Sequence, residues 1–209
     1  MLLSTFTKKI RSVLGKGPDP YCRISHEEIN SLPLKGYEGE ITVVRDRQDL
    51  ASAMTSLRRE ELLGFDTETR PSFWKGTKFP PALIQLAGEE RVFIFQLKHM
   101  GLPEELRALL ADPAIIKAGV ALNYDLTELQ QLAHFQPAAF VDLGDLAREK
   151  GLKNHGLRGL AAVLLGFRIA KGSTRKSNWE NDVLSPVQVR YAATDAWVGR
   201  ELYLELRDL

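Results

Sequence analysis

The sequence predicts an α/β domain, a mixed β-sheet flanked by α-helices, on three observations. Strand-like segments cluster early, and two of them, "ALIQLAG" and "RVFIFQL", are separated by the short "GEE" connection of a hairpin, which makes neighbours antiparallel. Later strand-like segments alternate with helix-like ones, the order that lays helices on a sheet. Hairpin and alternation together argue against a purely parallel doubly wound sheet. The chain of 209 residues, 44% hydrophobic and 26% charged, is long enough for one domain with a sizeable core.

Each element has its own local reason. "MLLSTFTKKIRSVLGKG" places Leu3, Phe6, Ile10, Val13 and Leu14 at roughly helical spacing, with several lysines and no acid. It reads as a helix packed on or tethered to the domain, and a targeting or membrane-surface segment is the other reading. It lacks a long apolar core and a small-residue cleavage site, so secretion is not expected. "GKGPDP" breaks it. Residues 1–37 are therefore read as an N-terminal extension and residues 38–209 as the domain. "ITVV" is a short strand, and "DRQDLASAMTSLRRE" is an amphipathic helix with Leu50, Met54 and Leu57 on one stripe. "LLGFDTE" is a buried strand, followed by the long turn-rich loop "TRPSFWKGTKFPP"; loops of that length are often functional. "PEELRALLAD" has the proline and acids of a helix start. "AIIKAGV" is a strand, "DLTELQQLAHF" a helix, and "AAFVDLGDLAREKG" a short strand turning into a helix. "LRGLAAVLLG" is an apolar helix ended by Gly166, and the last helix starts at Pro186 with Ser185 as its N-cap.

Composition excludes several classes. A formal net charge of +1 gives no global attraction to nucleic acid or membrane, so affinity for a polyanion must come from a local patch or from bound cations. Cys22 is the only cysteine, which rules out an internal disulfide and a cysteine zinc cluster and fits a reducing compartment. His26, His99, His134 and His155 lie far apart and form no short metal-ligand motif. No apolar run approaches the roughly 18–20 residues of a membrane span, so no stable membrane insertion is expected. The expected location is the cytoplasm, with a bacterial cytosol favoured and organellar targeting by the N-terminal segment left open.

The chemistry lies in three stretches. In "LLGFDTETRP", Asp66 and Glu68 sit two apart on a strand, on one face and about 6.5–7 Å apart along the chain. Two unit charges near 6 Å repel by about 3 kcal/mol at an effective dielectric of about 20. A solvated strand end tolerates that, but the apolar lead-in puts this strand through the core. In "AGVALNYDLTEL", Asp125 falls near the start of a helix, where an aspartate is also a common cap. In "VRYAATDAWVG", Tyr191 and Asp195 share a helix face among small residues that let a helix approach a sheet closely. Four acids from a strand, a helix start and a late helix have the distribution of a two-metal site. Magnesium and manganese take oxygen ligands, and two such ions activate water and stabilise the leaving oxygen at phosphorus.

"FDTET", "NYDLTEL" and "YAATDAW" resemble the three exonuclease motifs of the DEDDy 3′-5′ exonuclease superfamily. The stretch from "GLKNHGLRGLAAVLLG" to "GRELY" is most similar to the Werner-syndrome-type exonuclease domain, with ribonuclease D a near relative. The resemblance covers about residues 38–209. Arg190 stands where the histidine branch of the superfamily has its histidine, and Tyr191 favours the tyrosine branch. The resemblance implies a ribonuclease H-like fold, two divalent cations, Mg2+ or Mn2+, and release of nucleoside 5′-monophosphates from a 3′ end. It implies that Asp66, Glu68 and Asp195 ligate the ion that activates water, that Asp66 bridges to a second ion held by Asp125 through water, and that Tyr191 orients the attacking water. No helical HRDC-type segment follows Leu209, which favours the Werner-type reading over ribonuclease D.

The expected substrate is therefore nucleic acid, DNA ahead of RNA, with a catalytically silent nucleic-acid-binding module as a further alternative. Arg168, Lys171, Arg175 and Lys176 form the best local patch for phosphates, against a solvated basic loop as the other reading. Asn178 follows, and Trp179 either stacks on a base or anchors the loop, anchoring being favoured. Phe73, Trp74, Lys75, Lys78 and Phe79 mark a second candidate contact, where Phe79 or Leu83 would wedge the terminal base. Thr67 and Asn123, beside the motif acids, complete the substrate-contact candidates.

Overall fold

The computed structural model describes residues 18–72, 79–170 and 173–209. Among the described residues, six strands, β1 (Glu40–Val44), β2 (Leu62–Thr69), β3 (Pro81–Ala87), β4 (Arg91–Gln96), β5 (Ile116–Gly119) and β6 (Phe140–Asp142), form one sheet of order β1-β4-β3-β2-β5-β6. β3 runs antiparallel to β2 and β4, and every other pairing is parallel. One reversed strand in an otherwise parallel sheet is the mixed sheet that the sequence predicts, and β3–β4 is its hairpin.

Helices cover both faces, and strand alternation decides what each face carries. Along β2, Leu63 and Phe65 point to one side. There they meet Ile84, Leu86, Phe93 and Phe95 of β3 and β4. The same core takes Leu50, Met54 and Leu57 of α2 (Arg47–Leu57), and Leu106 and Leu110 of α4 (Glu104–Leu110). Leu122 and Leu129 of α5 (Leu122–Leu132) complete it. Gly64, Asp66 and Glu68 point to the other side, which α8 (Pro186–Arg207) covers. A β-carbon on Gly64 would lie 1.9 Å from the Ala196 carbonyl oxygen, so α8 rests with its backbone against β2. Ala192, Ala193 and Ala196 make that approach possible over Leu83, Ala87 and Ile94. α8 starts in a capping box, with Ser185 accepting from the Gln188 N–H and Pro186 inside the first turn.

Several elements depart from the expected ones. α5 begins at Leu122, three residues earlier than the sequence suggests, with Ala121 in the left-handed conformation at φ 61° before it. Asp125 therefore sits inside the first turn rather than capping it. The cap is remote: Asp142 at the end of β6 accepts the Leu122 N–H at 3.0 Å while also capping α6 (Leu143–Glu149). A short helix α3 (Leu97–Met100) takes the last residue of the expected fourth strand. The apolar helix at 157–166 divides into α7 (Leu157–Leu160) and a π-helical turn at Ala161–Leu165, closed by Gly166 at φ 72°.

The expected helix within residues 1–17 lies outside the described residues. The described part of the extension includes a capped helix α1 (His26–Ser31) and then runs along the domain. Lys35 donates its N–H to the Arg168 carbonyl at 2.9 Å, and Tyr37 donates to Thr194 Oγ1 at 3.0 Å. No helix among the described residues is long and apolar enough to cross a membrane.

Candidate active site

Asp66 and Glu68 come from one face of β2, and Asp195 reaches them from α8. Carboxylate oxygens of all three lie within 4.8 Å of one another. Asp125 approaches from the first turn of α5 and is fixed by the Thr67 hydroxyl, which donates to its Oδ1 at 2.8 Å. Asp66, Thr67, Glu68 and Asp195 line a cavity of about 430 Å³. Burial pushes the Asp66 carboxyl well above the usual carboxylate range, and the charges of Asp195 and Asp125 add to it. Burial, then Asp66 and Asp195, likewise push Glu68 up to about 10, eased by the nearby Arg175 guanidinium. Burial holds Asp195 up at about 7 against a hydrogen bond from Tyr191, and burial also raises Asp125. A cluster of oxygen donors that resists losing its protons is one that a hard divalent cation relieves, so these residues fit such an ion.

Tyr191 lines the same cavity and bonds Asp195 one turn away on α8. Its phenol is held well above its ordinary range, by burial first and then by the surrounding acids, so it stays a protonated donor. Trp179 packs against its ring with centroids 5.9 Å apart. Replacing Tyr191 with phenylalanine is expected to lower turnover about 10–100-fold, the range for groups that orient a site, while Mn2+ binding stays near wild type. Steady-state digestion and a Mn2+ titration check both halves.

The substrate-contact candidates divide. Thr67 and Arg175 line the acid cavity. The favoured reading of Trp179 as an anchor holds and its alternative as a base contact does not, while the Leu83 wedge needs correction. Trp179 is fully buried and donates its indole N–H to the Arg175 carbonyl at 3.3 Å. It presents no face to a base and anchors the basic loop instead, a short 3₁₀ turn at Ser173–Lys176. Leu83 is also fully buried, beneath α8 and paired with Glu68 across the ladder, so it cannot wedge a base. Asn123 is exposed on a separate hollow lined by Asp142, Asp145 and Glu149, and Lys176 is exposed outside the acid cavity. The Asn178 side chain is used locally, donating to Asn181 Oδ1 and accepting from the Glu180 N–H. Phe79 is half-buried with the Arg70 guanidinium 4.2 Å from its ring centroid. Arg168 turns away and donates to the Leu32 carbonyl at 3.0 Å. Phe73, Trp74, Lys75, Lys78 and Lys171 lie outside the described residues.

One charged residue of the cavity was not anticipated. Arg158 lines the acid cavity from α7, and its buried Nε has no partner among the described residues. Its sequence signal is a single cation inside the apolar run "LRGLAAVLLG".

A sheet of this order, with the tyrosine one turn before the last acid, belongs to the nuclease domains of ribonuclease H-like fold, in their DEDDy form. Residues 41–209 match the family model described as 3′-5′ exonuclease, and the chain belongs to that family. The bifunctional 3′-5′ exonuclease/ATP-dependent helicase WRN of Mus musculus is 33% identical over 189 residues, covering 86% of this chain and 14% of that protein. Ribonuclease D of Haemophilus influenzae is 30% identical over 187 residues, covering 88% of this chain and 46% of that enzyme. The chain thus spans less than half the length of either relative. Among solved structures, the EXO domain of Aedes aegypti Nibbler superposes with a TM-score of 0.74 at 23% identity, covering 84% of this chain and 91% of that one, which shows the shared fold.

Proposed function

We propose that this chain hydrolyses phosphodiester bonds from the 3′ end of DNA with two divalent cations, Mg2+ or Mn2+, releasing nucleoside 5′-monophosphates. The observation that carries the reading is the convergence of Asp66, Glu68 and Asp195 within 4.8 Å, with Asp125 beside them on the Thr67 hydroxyl. When bound, such a pair of ions lowers the pKa of water and stabilises charge on the attacking and leaving oxygens. Asp66, Glu68 and Asp195 would hold one ion beside Tyr191. Asp66 would be shared with the other, which Asp125 meets through water. The Tyr191 hydroxyl orients the attacking water, and Arg175 meets the phosphate from the basic loop.

DNA is placed ahead of RNA on the Werner-type resemblance of residues 151–203. The ribonuclease D relative, nearly as similar, supports RNA as the second reading. The test is digestion of 5′-labelled single-stranded DNA and matched RNA with Mg2+, with Mn2+ and with chelator. The expected result is a ladder shortening from the 3′ end only when metal is present, and faster on DNA. Faster digestion of RNA would move the ribonuclease reading to the front. No cleavage of either, with binding intact in chelator, would leave a nucleic-acid-binding module.

A further inference from the structure

β3 carries one polar side chain on the face that α8 covers. Gln85 is fully buried, and neither its Oε1 nor its Nε2 has a hydrogen-bond partner among the described residues. Its neighbours on the same strand face, Leu83 and Ala87, pack against Ala192, Ala193 and Ala196 of α8. Leaving a buried amide unbonded is unfavourable, and an apolar side chain of similar size would avoid the penalty. The exception therefore asks for a partner.

The ladder supplies one. Gln85 lies directly across from Ile94 on one side and from Asp66 on the other. Facing residues on antiparallel strands point the same way, with β-carbons about 4.5–5.5 Å apart. The structure shows no direct bond between the two, so one buried water would complete the link from the amide to the Asp66 carboxylate. Asp66 accepts from the Thr67 backbone and has lone pairs to spare.

We propose that Gln85 is a positioning residue for the carboxylate cluster, its amide N–H holding the Asp66 carboxylate across one buried water in the orientation that receives divalent cations. The proposal rests on the metal-dependent reading given above. It assigns Gln85 no contact with substrate. Partners of this kind behind a metal ligand alter metal affinity by about 10–100-fold.

The experiment follows Mn2+ binding to metal-free protein by the electron paramagnetic resonance of free Mn2+, together with melting in EDTA. It compares wild type, Gln85→Leu and Gln85→Met, the last keeping the length of the side chain should leucine pack badly. Both variants are expected to melt in a single transition in EDTA, which shows that they fold. Both are expected to bind Mn2+ at least tenfold more weakly. Wild-type Mn2+ affinity in a folded variant overturns the proposal, whether or not its melting temperature drops, since that is the behaviour of a glutamine that only supports packing. Wild-type protein that takes up no Mn2+ would overturn the metal-dependent reading itself, and this proposal with it.

Discussion

Asp66→Asn is expected to lower exonuclease activity at least about 10³-fold, beyond what losing one transition-state donor costs, and to raise the melting temperature of the metal-free protein. Both effects come from one carboxylate. Burial and the charges of Asp195 and Asp125 hold the Asp66 pKa far above its ordinary value near 3.9. Between those two values the folded state keeps a proton that the unfolded state has released, so stability falls as pH rises. Asp195, held up at about 7, adds its own loss between about pH 4 and pH 7. Melting curves in EDTA should therefore show wild-type stability falling from about pH 4 through pH 7, with Mg2+ or Mn2+ restoring it at the upper end by binding the folded state alone. Asparagine keeps the shape and removes the charge, so the variant should show a shallower slope and no gain from the cation. A wild-type melting temperature that rises with pH in EDTA would contradict the buried acids, and a variant that still digests DNA would contradict their role.

The acids were legible because each is marked by residues close to it in sequence: the apolar lead-in to Asp66 and Glu68, the small residues around Asp195, the strand-to-helix turn before Asp125. The sheet was legible through the "GEE" hairpin and the later alternation. What stayed hidden depends on contacts between distant segments. Trp179 read as an anchor ahead of a base platform, and what it anchors is set by Gln188, which fixes the loop through bonds to Ser177 Oγ and the Asn178 carbonyl. The start of α5 is set by Asp142, twenty residues on. Gln85, Lys117 and Arg158 share one overlooked signal, a lone polar residue in an apolar run. Each has a different answer: a bare amide beneath α8, an ammonium on the Asp112 carbonyl at 2.7 Å, and a cation on the acid cavity. Periodicity shows where a face is buried but not what a polar exception on it meets.

Gly64→Ala should be nearly as damaging as the loss of an acid, although Gly64 touches no ion or substrate. In a strand, alanine is ordinarily no worse than glycine, since it loses less backbone freedom. Here the added methyl carbon would lie 1.9 Å from the Ala196 carbonyl oxygen and 2.9 Å from the Arg200 nitrogen, both backbone atoms of α8. Carbon and oxygen settle at about 3.3–3.6 Å, so the helix must retreat by more than about 1 Å. Overpacking of this kind costs about 1–3 kcal/mol, which a melting curve resolves. The retreat also carries Asp195 and Tyr191 away from Asp66 and Glu68, and a misplacement of about 1 Å can cost 10²-fold in rate. Gly64→Ala is expected to melt lower, bind Mn2+ more weakly and digest DNA at least about 100-fold more slowly. Adding Ala196→Gly should rescue none of this, because the clash is with a carbonyl rather than a side chain. Wild-type Mn2+ affinity in the single variant would mean that the approach of α8 to β2 does not set the spacing of the acids.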